Sequence, residues 1–350
     1  MTRIPSFFAR DMVYFRKGLF VFNDDYAYFF KVGPNGLFAG SKRRKVFAKK
    51  VGMLFKKWCV QLEQLMSAFD SSSGVAGSLI DSEKFDKVVK KLRDFFTKKG
   101  YVEAHTQNRL SILAACEDPT TITTYDYGGK KWPLPQTGQM WLEYELLSKP
   151  HLPGFFCVST SYRNEPNPIP GRHDKIFPMF EFELKGGMDE LEKMEKELLT
   201  HLGYTCDFGA DDYMNVGEKY KVFDLEHEHE QKLYEEYGPV FFLKNFPSYT
   251  SPFWNMKRNE TGVTANKVDV IMSGQETIGS AERETNKEMM LQQFNNIMDG
   301  AYKDKMFELF GEERTMAEMS DFLNFEFFPR SGGGIGVTRL IRSMKLEGLM

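Results

Sequence analysis

Cysteine is scarce in this chain: four in 350 residues, at positions 59, 116, 157 and 206, with no Cys-x-x-Cys pair. That excludes a disulfide-stapled secreted module and a cysteine zinc site, and reads as a reduced intracellular chain whose thiols are small core residues. No apolar run approaches the roughly 20 residues that span a bilayer, so no membrane partner is expected. Neither charge sign dominates. The 46 Lys+Arg and 49 Asp+Glu leave a net charge of −3, which excludes a surface given over wholly to nucleic acid but permits a local basic patch. The first twenty residues lack the charged, apolar, small-residue order of a secretory leader; the acid-free first ten residues leave a mitochondrial address open, Asp11, Asp24 and Asp25 weaken it, and the cytoplasm is the expected location. There is no internal repeat. Hydrophobic residues make up 41% and charged residues 27%, enough for a folded chain of two or three domains.

The clearest seam is FDSSSGVAGS (69–78), small and polar between two patterned regions. It divides the chain into a basic, aromatic-rich N-terminal region with its linker, 1–78, and a main domain, 79–350. Lys42, Arg43, Arg44, Lys45, Lys49, Lys50, Lys56 and Lys57 crowd one stretch, and Val46, Phe47, Val51, Leu54, Phe55 and Trp58 recur among them at helical spacing. Residues 43–67 therefore read as a basic amphipathic helix. It could be a solvated face packed on the main domain, an RNA- or phosphate-binding surface, or a helix lying on a membrane surface.

After the seam, Phe85, Val88, Val89, Leu92, Phe95 and Phe96 mark one face of a helix over 81–99, with Asp81 or Ser82 to cap it and Gly100 to end it. YVEAHT reads as a strand. GFFCVSTSYR (154–163) and IFPMFEFELK (176–185) read as an antiparallel pair joined by a long Pro/Gly-rich loop. A helix is expected over 189–202, strands at 239–244, 267–272 and 276–280, and a helix at 284–298. The end, FEFFPRSGGGIGVTRLIRSM, reads as a strand, a glycine turn and a helix. Hairpin-paired strands flanked by helices imply an α+β fold with a six- or seven-stranded, mainly antiparallel sheet. The apolar stripe on the 81–99 helix and the strand after it suit a homodimer face.

Three groups of residues carry chemistry. Arg163 and Glu165 share one strand face, as do Phe177, Met179, Glu181 and Glu183 on the returning strand, with Arg172 and His173 in the loop between. Guanidinium forks for phosphate, an acceptor for an amino group and a ring for stacking suit a nucleotide, although a hairpin laced with salt bridges would read the same way. Asp269 and Glu276 are acids on neighbouring strands, a plausible pair of oxygen ligands for Mg²⁺. SGGGIGVTRLI (331–341) puts Arg339 at a helix start behind glycines that let backbone pass close to a ligand. It matches neither GxGxxG after a first strand nor GxxxxGK[ST].

The order of these pieces is specific. SYRNE…RHDKIF followed by a distant GGGIGVTRL resembles motifs 2 and 3 of the class II aminoacyl-tRNA synthetases, within the aspartate/asparagine/lysine subgroup and most like its asparaginyl members. TGQMWLE (137–143), DLEHEHEQKL (224–233), PVFFLKNFPSYTSPFWNMKRN (239–259) and VDVIMSGQETIGSAERE (268–284) resemble further motifs of that subgroup. The resemblance covers about residues 80–344. In that family the stretch with His227 and His229 is a structural helix start, not a metal cluster.

The resemblance implies a class II synthetase-like antiparallel sheet flanked by helices, and amino-acid activation: ATP and a carboxylate give an aminoacyl-adenylate and pyrophosphate. Arg163 would grip the α-phosphate, Glu165 would read the adenine amino group and Phe177 would stack on the base. Arg172, His173 and Arg339 would hold the β- and γ-phosphates, with Mg²⁺ on Asp269 and Glu276. Glu117, Gln139 and Arg283 would take the ends of the amino acid, and Glu143 would lie near its side chain.

Several residues depart from the family pattern. Gln107 stands where the first motif carries proline, Ile176 replaces a glutamate, Thr338 replaces an acid, and the lysine of the aspartyl-type QSPQxxKQ stretch is missing. Residues 1–68 read as too short and too helical for the family's N-terminal anticodon-binding β-barrel. Truncated relatives are AMP-forming asparagine synthetases, in which ammonia attacks a β-aspartyl-adenylate, and that is the activity expected first. The alternative is an asparaginyl-tRNA-synthetase-like enzyme that charges tRNA or another acceptor, with the basic N-terminal helix as its RNA contact. A third reading is an inactive binding paralogue.

Overall fold

The structure is a computed structural model that describes the backbone of residues 12–15, 18–23, 26–33 and 36–43, and all of residues 80–350 except 116, 117 and 170. The chain divides into two compact units, Met1–Ser78 and Leu79–Met350.

In the first unit β1 (Met12–Phe15), β2 (Gly18–Asn23), β3 (Tyr26–Gly33) and β4 (Gly36–Arg43) form a four-stranded antiparallel meander. This corrects the expectation of a mainly helical N-terminal region. MVYF, GLFVFN and YAYFFKVG are dense in aromatic and β-branched residues, which suit strands, and only two residues separate each strand from the next, the length of a tight hairpin. Lys42 and Arg43 end β4 and so belong to a strand. The rest of the basic helix expected over 43–67 lies outside the described residues.

The second unit opens with α1 (Ser82–Lys98), capped by Asp81, whose carboxylate accepts the Lys84 N–H at 3.1 Å. There follow β5 (Val102–Glu103), the hairpin β6 (Thr124–Tyr127) and β7 (Lys130–Pro133), α2 (Gln139–Ser148), β8 (Gly154–Tyr162) and β9 (Ile176–Lys185). Next come α3 (Met188–Leu202), β10 (Gly209–Asp212), α4 (Tyr213–Tyr220), α5 (His227–Tyr237), β11 (Val240–Pro247), β12 (Thr264–Met272) and β13 (Gln275–Glu282). The chain ends with α6 (Lys287–Asn296), α7 (Ala301–Phe310), α8 (Glu312–Leu323), β14 (Arg330–Gly336) and α9 (Val337–Leu346).

Eight strands make the main sheet, in the order β10-β11-β12-β13-β14-β9-β8-β5. The six central strands are antiparallel; β10 and β5 add parallel edges. The sheet is thus one or two strands wider than expected and mixed at its margins. One face packs on α1, α3 and α9 through Phe156, Phe180, Phe182, Val268, Val270 and Ile335. A second apolar cluster, centred on Trp254, Phe294, Tyr302 and Phe322, ties α6–α8 together beside the sheet. The stripe on α1 that suggested a dimer face is spent inside the chain: Val88, Val89, Leu92, Phe95 and Phe96 are buried, and Phe96 lies against Phe156, Phe180 and Phe182. Among the described residues no helix is long and apolar enough to cross a membrane.

The glycines of SGGGIG are a correction in kind. They are the strand β14 itself, buried from Arg330 to Gly336, and FEFF before them is not a strand. Glycine is required there for space. A Cβ on Gly332 would stand 1.8 Å from Glu183 Oε2 and 2.6 Å from the Phe182 carbonyl.

One core group carries a liability. Glu195 on α3 is fully buried, and neither carboxyl oxygen finds a hydrogen-bond partner among the described residues. Burial, helped by the charges of Glu192 and Asp269 and eased by the nearby Ser280 hydroxyl, pushes its pKa from 4.5 to about 8. Between those values the folded chain keeps a proton that the unfolded chain releases, so stability falls as pH rises, by about 1.4 kcal/mol per pH unit, and levels off above about pH 8. Glu195→Gln should remove that slope. Thermal unfolding from pH 5 to 9 should show the variant gaining on the native chain up to pH 8; parallel curves would contradict the assignment.

Candidate active site

The sheet face opposite α1, α3 and α9 opens into a cleft of about 830 Å³, a volume that takes in the solvent of its mouth. Strand alternation sets its floor. Phe177, Met179 and Glu181 of β9 point into it, while Phe180 and Phe182 point into the core. The glycines of β14 keep the floor low: Gly334 lies beneath Met179 and Gln139, and a Cβ there would meet the Met179 methyl at 2.7 Å.

At one end the cleft is cationic. Arg163 leaves the end of β8 beside Glu165, 3.6 Å away, and Arg172 and His173 come from the β8–β9 loop. Arg339 lies in the first turn of α9, where the helix N-terminus favours anions. That end is pre-assembled. Arg339 donates to the Glu276 carbonyl at 2.8 Å and to the Arg172 carbonyl at 3.4 Å. Glu230, on α5, pairs with Arg172 through one oxygen and accepts the Glu276 N–H at 2.7 Å with the other. Burial, with the charges of Arg339, Arg172 and Arg163 outweighing that of Glu165, holds His173 below the usual imidazole range. Its Nδ1 accepts from the Ile169 N–H at 3.3 Å, so a neutral ring presents Nε2–H as a donor.

Two acids adjoin this end. Asp269 on β12 is paired in register with Gly279 on β13, and the Cβ position of Gly279 is 3.1 Å from Glu276 Oε1 and 3.5 Å from Asp269 Oδ1. Burial and the neighbouring Glu276 and Glu230 raise the Asp269 carboxyl, although Lys267 opposes them. Burial works in the same sense on Glu276, but Arg339, Lys267, Arg163 and Arg172 outweigh it and hold that group low.

The other end is built from buried polar groups. Glu181 accepts from the Gly138 N–H at 2.7 Å and from the hydroxyls of Thr137 and Ser159. Gln139 accepts from Arg283 Nη2 at 3.2 Å. Arg283 itself is 2% exposed and lies below the floor, forked onto Glu183 with both bonds at 3.1 Å. Such a cleft can seat a polyanion at the Arg163–Arg172–Arg339 end, a planar ring against Phe177 and a small polar molecule over Gln139 and Glu181.

Of the residues expected from the sequence, Arg163, Glu165, Arg172, His173, Phe177, Gln139, Glu276 and Arg339 all line this one cleft. Asp269 adjoins it from beneath. Glu143 does not reach it: that side chain is sealed in a pair with Arg330 at 2.7 Å and accepts from Asn255 at 2.6 Å. Glu117 lies outside the described residues. Sequence reasoning missed Thr137 and the role of Glu181, for which alternation along β9 was the available signal. It also set Glu230 aside as part of a helix start, and no local pattern distinguishes that glutamate from its neighbours.

Residues 82–347 match the sequence profile of the tRNA synthetases class II (D, K and N). The chain is 36% identical over 121 residues to the asparagine–tRNA ligase of Treponema denticola, a stretch covering 34% of this chain and 23% of that protein. It is 29% identical over 167 residues to the asparagine–tRNA ligase of Escherichia coli O139:H28, covering 43% of this chain and 33% of the relative. The matched stretches thus span about a quarter to a third of those relatives. In fold it resembles the asparaginyl-tRNA synthetase of Pyrococcus horikoshii complexed with asparaginyl-adenylate, with a TM-score of 0.62 at 16% identity over 95% of this chain and 89% of that one. It also resembles a putative aspartyl-tRNA synthetase of Leishmania major, with a TM-score of 0.59 at 16% identity over 76% and 62% of the two chains.

The glycines of β14 give a graded expectation. Gly332→Ala drives a methyl into backbone and a pinned carboxylate, and should lower stability in urea by about 3 kcal/mol while displacing Glu183 from Arg283. Gly334→Ala meets only the flexible end of Met179 and should lose less than about 1 kcal/mol. Equal losses would mean that close approach is not what selects glycine here.

Proposed function

The chain belongs to the class II tRNA synthetases (D, K and N), and from that premise we propose that it activates asparagine with ATP as an aminoacyl-adenylate. The observation that carries this reading is the single cleft holding Arg163, Arg172, His173 and Arg339 at one end and Gln139 over Arg283 at the other. An oxygen of the amino acid's α-carboxylate attacks the α-phosphorus of ATP, the bond from that phosphorus to the β-bridging oxygen breaks, and pyrophosphate leaves. Arg163 stabilises the charge that grows on the α-phosphoryl oxygens. Glu165 accepts from the adenine amino group and Phe177 stacks on the base. Arg172, Arg339 and the neutral His173 hold the β- and γ-phosphates. Positioning and charge suffice for such a displacement, without a protein nucleophile.

Asp269 and Glu276 suit Mg²⁺, which keeps few protein carboxylates and shares phosphate oxygens. The buried Asp269 Oδ1 has no hydrogen-bond partner among the described residues, as a ligand atom awaiting an ion would be. The ion would supply positive charge beside the phosphates.

Asparagine is favoured over aspartate on charge. Arg283 is neutralised by its fork onto Glu183 and Arg330 by Glu143, which leaves Glu181, held by backbone and hydroxyl donors, as the charged group at this end. A second substrate carboxylate would be placed near the Glu181 charge, whereas an amide brings no charge. That choice also favours tRNA over ammonia as the acceptor, because asparagine has no β-carboxylate left to amidate. The case for ammonia leaned on a helical N-terminal region, and that region contains β1–β4. The reading further assigns the open groove between α1 and β8, lined by Phe85, Arg93, His105 and Gln107, to a second copy of the chain, and the cytoplasm as the place of work.

ATP–pyrophosphate exchange tests the proposal. Asparagine should support exchange and aspartate should not, and charging of tRNA should follow with asparagine. Arg163→Ala should lower exchange by about 10²–10³-fold, whereas Glu165→Ala should chiefly raise KM for ATP. Exchange with aspartate and release of asparagine when ammonia is added would replace this reading with an ammonia ligase. Silence with every amino acid would leave an inactive paralogue.

A further inference from the structure

One cation near the site takes no part in the reading above. Lys267 stands two residues before Asp269 on β12, and its Nζ is 2.7 Å from Asp269 Oδ2, with the side chain 22% exposed. The ammonium also lies 3.8 Å from the centre of the Phe246 ring, a cation–π contact that fixes it from the other side. Lys267 therefore occupies one oxygen of Asp269, while Oδ1 stays buried, with the Cβ position of Gly279 within 3.5 Å of both it and Glu276 Oε1. On the far side of the acids, Arg339 Nη1 is 3.6 Å from Glu276 Oε2.

The formal charges then cancel. Asp269 and Glu276 contribute at most two negative charges, and Lys267 and Arg339 two positive ones. The adjoining Glu230–Arg172 and Glu165–Arg163 pairs add nothing net. A divalent ion approaching such a site from water exchanges its hydration shell for an environment of no net charge, and carboxylates need a surplus of negative charge to hold it. A triphosphate placed against Arg163, Arg172 and Arg339 supplies that surplus.

We infer that Lys267 is a resident counter-cation that keeps the Asp269–Glu276 pair from holding a divalent ion until a nucleotide is bound, so that metal enters with the phosphates. This rests on the assignment of that pair to metal, and it makes Lys267 a positioning residue that sets the order of binding through Asp269.

The test uses Mn²⁺ as the probe and water-proton relaxation enhancement as the readout, which responds to the ion on a slowly tumbling protein, in the presence and absence of a non-hydrolysable ATP analogue. The native chain should show enhancement only with the analogue. Lys267→Met, which keeps the stem over Phe246 and removes the charge, should bind Mn²⁺ at least tenfold more tightly without nucleotide. Lys267→Arg should behave as native, and adding Asp269→Asn to Lys267→Met should abolish the gain; thermal melts check that each variant is folded. Nucleotide-free binding by the native chain as tight as by Lys267→Met would overturn the inference and leave the metal pair standing. Absence of enhancement in every variant with the analogue present would overturn the metal assignment and the inference together.

Discussion

Two arginine–glutamate pairs sealed beneath the glycine strand set the geometry on which the site depends. Arg283 forks onto Glu183, and Arg330 donates through Nε and Nη2 to Glu143 at 3.0 and 2.7 Å. All four side chains are at most 2% exposed. Ions so deeply buried are seldom a net gain over well-packed apolar residues, but removing one partner from such a pair typically loses 3–5 kcal/mol. Their effect here is positional. Glu183 holds Arg283, Arg283 donates to Gln139, and Gln139 opens α2 at the cleft wall. The layer exists because β14 has no side chains where Glu183 must lie.

Above this layer the cleft separates charge along its length. The end with Arg163, Arg172 and Arg339 is positive, and its acids are each paired or coupled to a cation. The end with Glu181 is negative and is satisfied by backbone and hydroxyl donors. Loop and strand residues that line the cleft are braced by helices. Glu230 reaches from α5 to hold both Arg172 and the backbone of Glu276, and Arg339 ties the β8–β9 loop to β13. A loop that would otherwise carry Arg172 into solvent is thereby held in place against the cleft, which lowers the ordering cost of binding there.

Much of this was legible in the sequence. The capped helix of residues 82–98, the hairpin partners 154–162 and 176–185, and the facing of Arg163, Phe177, Glu276 and Arg339 follow from local periodicity and motif order, because strand alternation and helix spacing are properties of short segments. The N-terminal strands were legible too, in aromatic-rich runs separated by two residues, but basic residues further along drew the reading toward a helix.

What tertiary structure decided is where like residues differ in use. Glu143 and Glu165 are both plausible ligand contacts by motif, yet one is sealed against Arg330 and the other lines the cleft. Glu230 became a brace because α5 packs beside β13, a contact between segments more than forty residues apart. The stripe on α1 turned inward because β8 and β9 offer it Phe156, Phe180 and Phe182. The glycines of β14 read as a turn until their neighbours were known, since a missing side chain signals a bend and a close approach alike. Sequence determined which segments form and which faces carry charge; burial and pairing, which depend on distant strands meeting in register, decided which of those charges line the cleft.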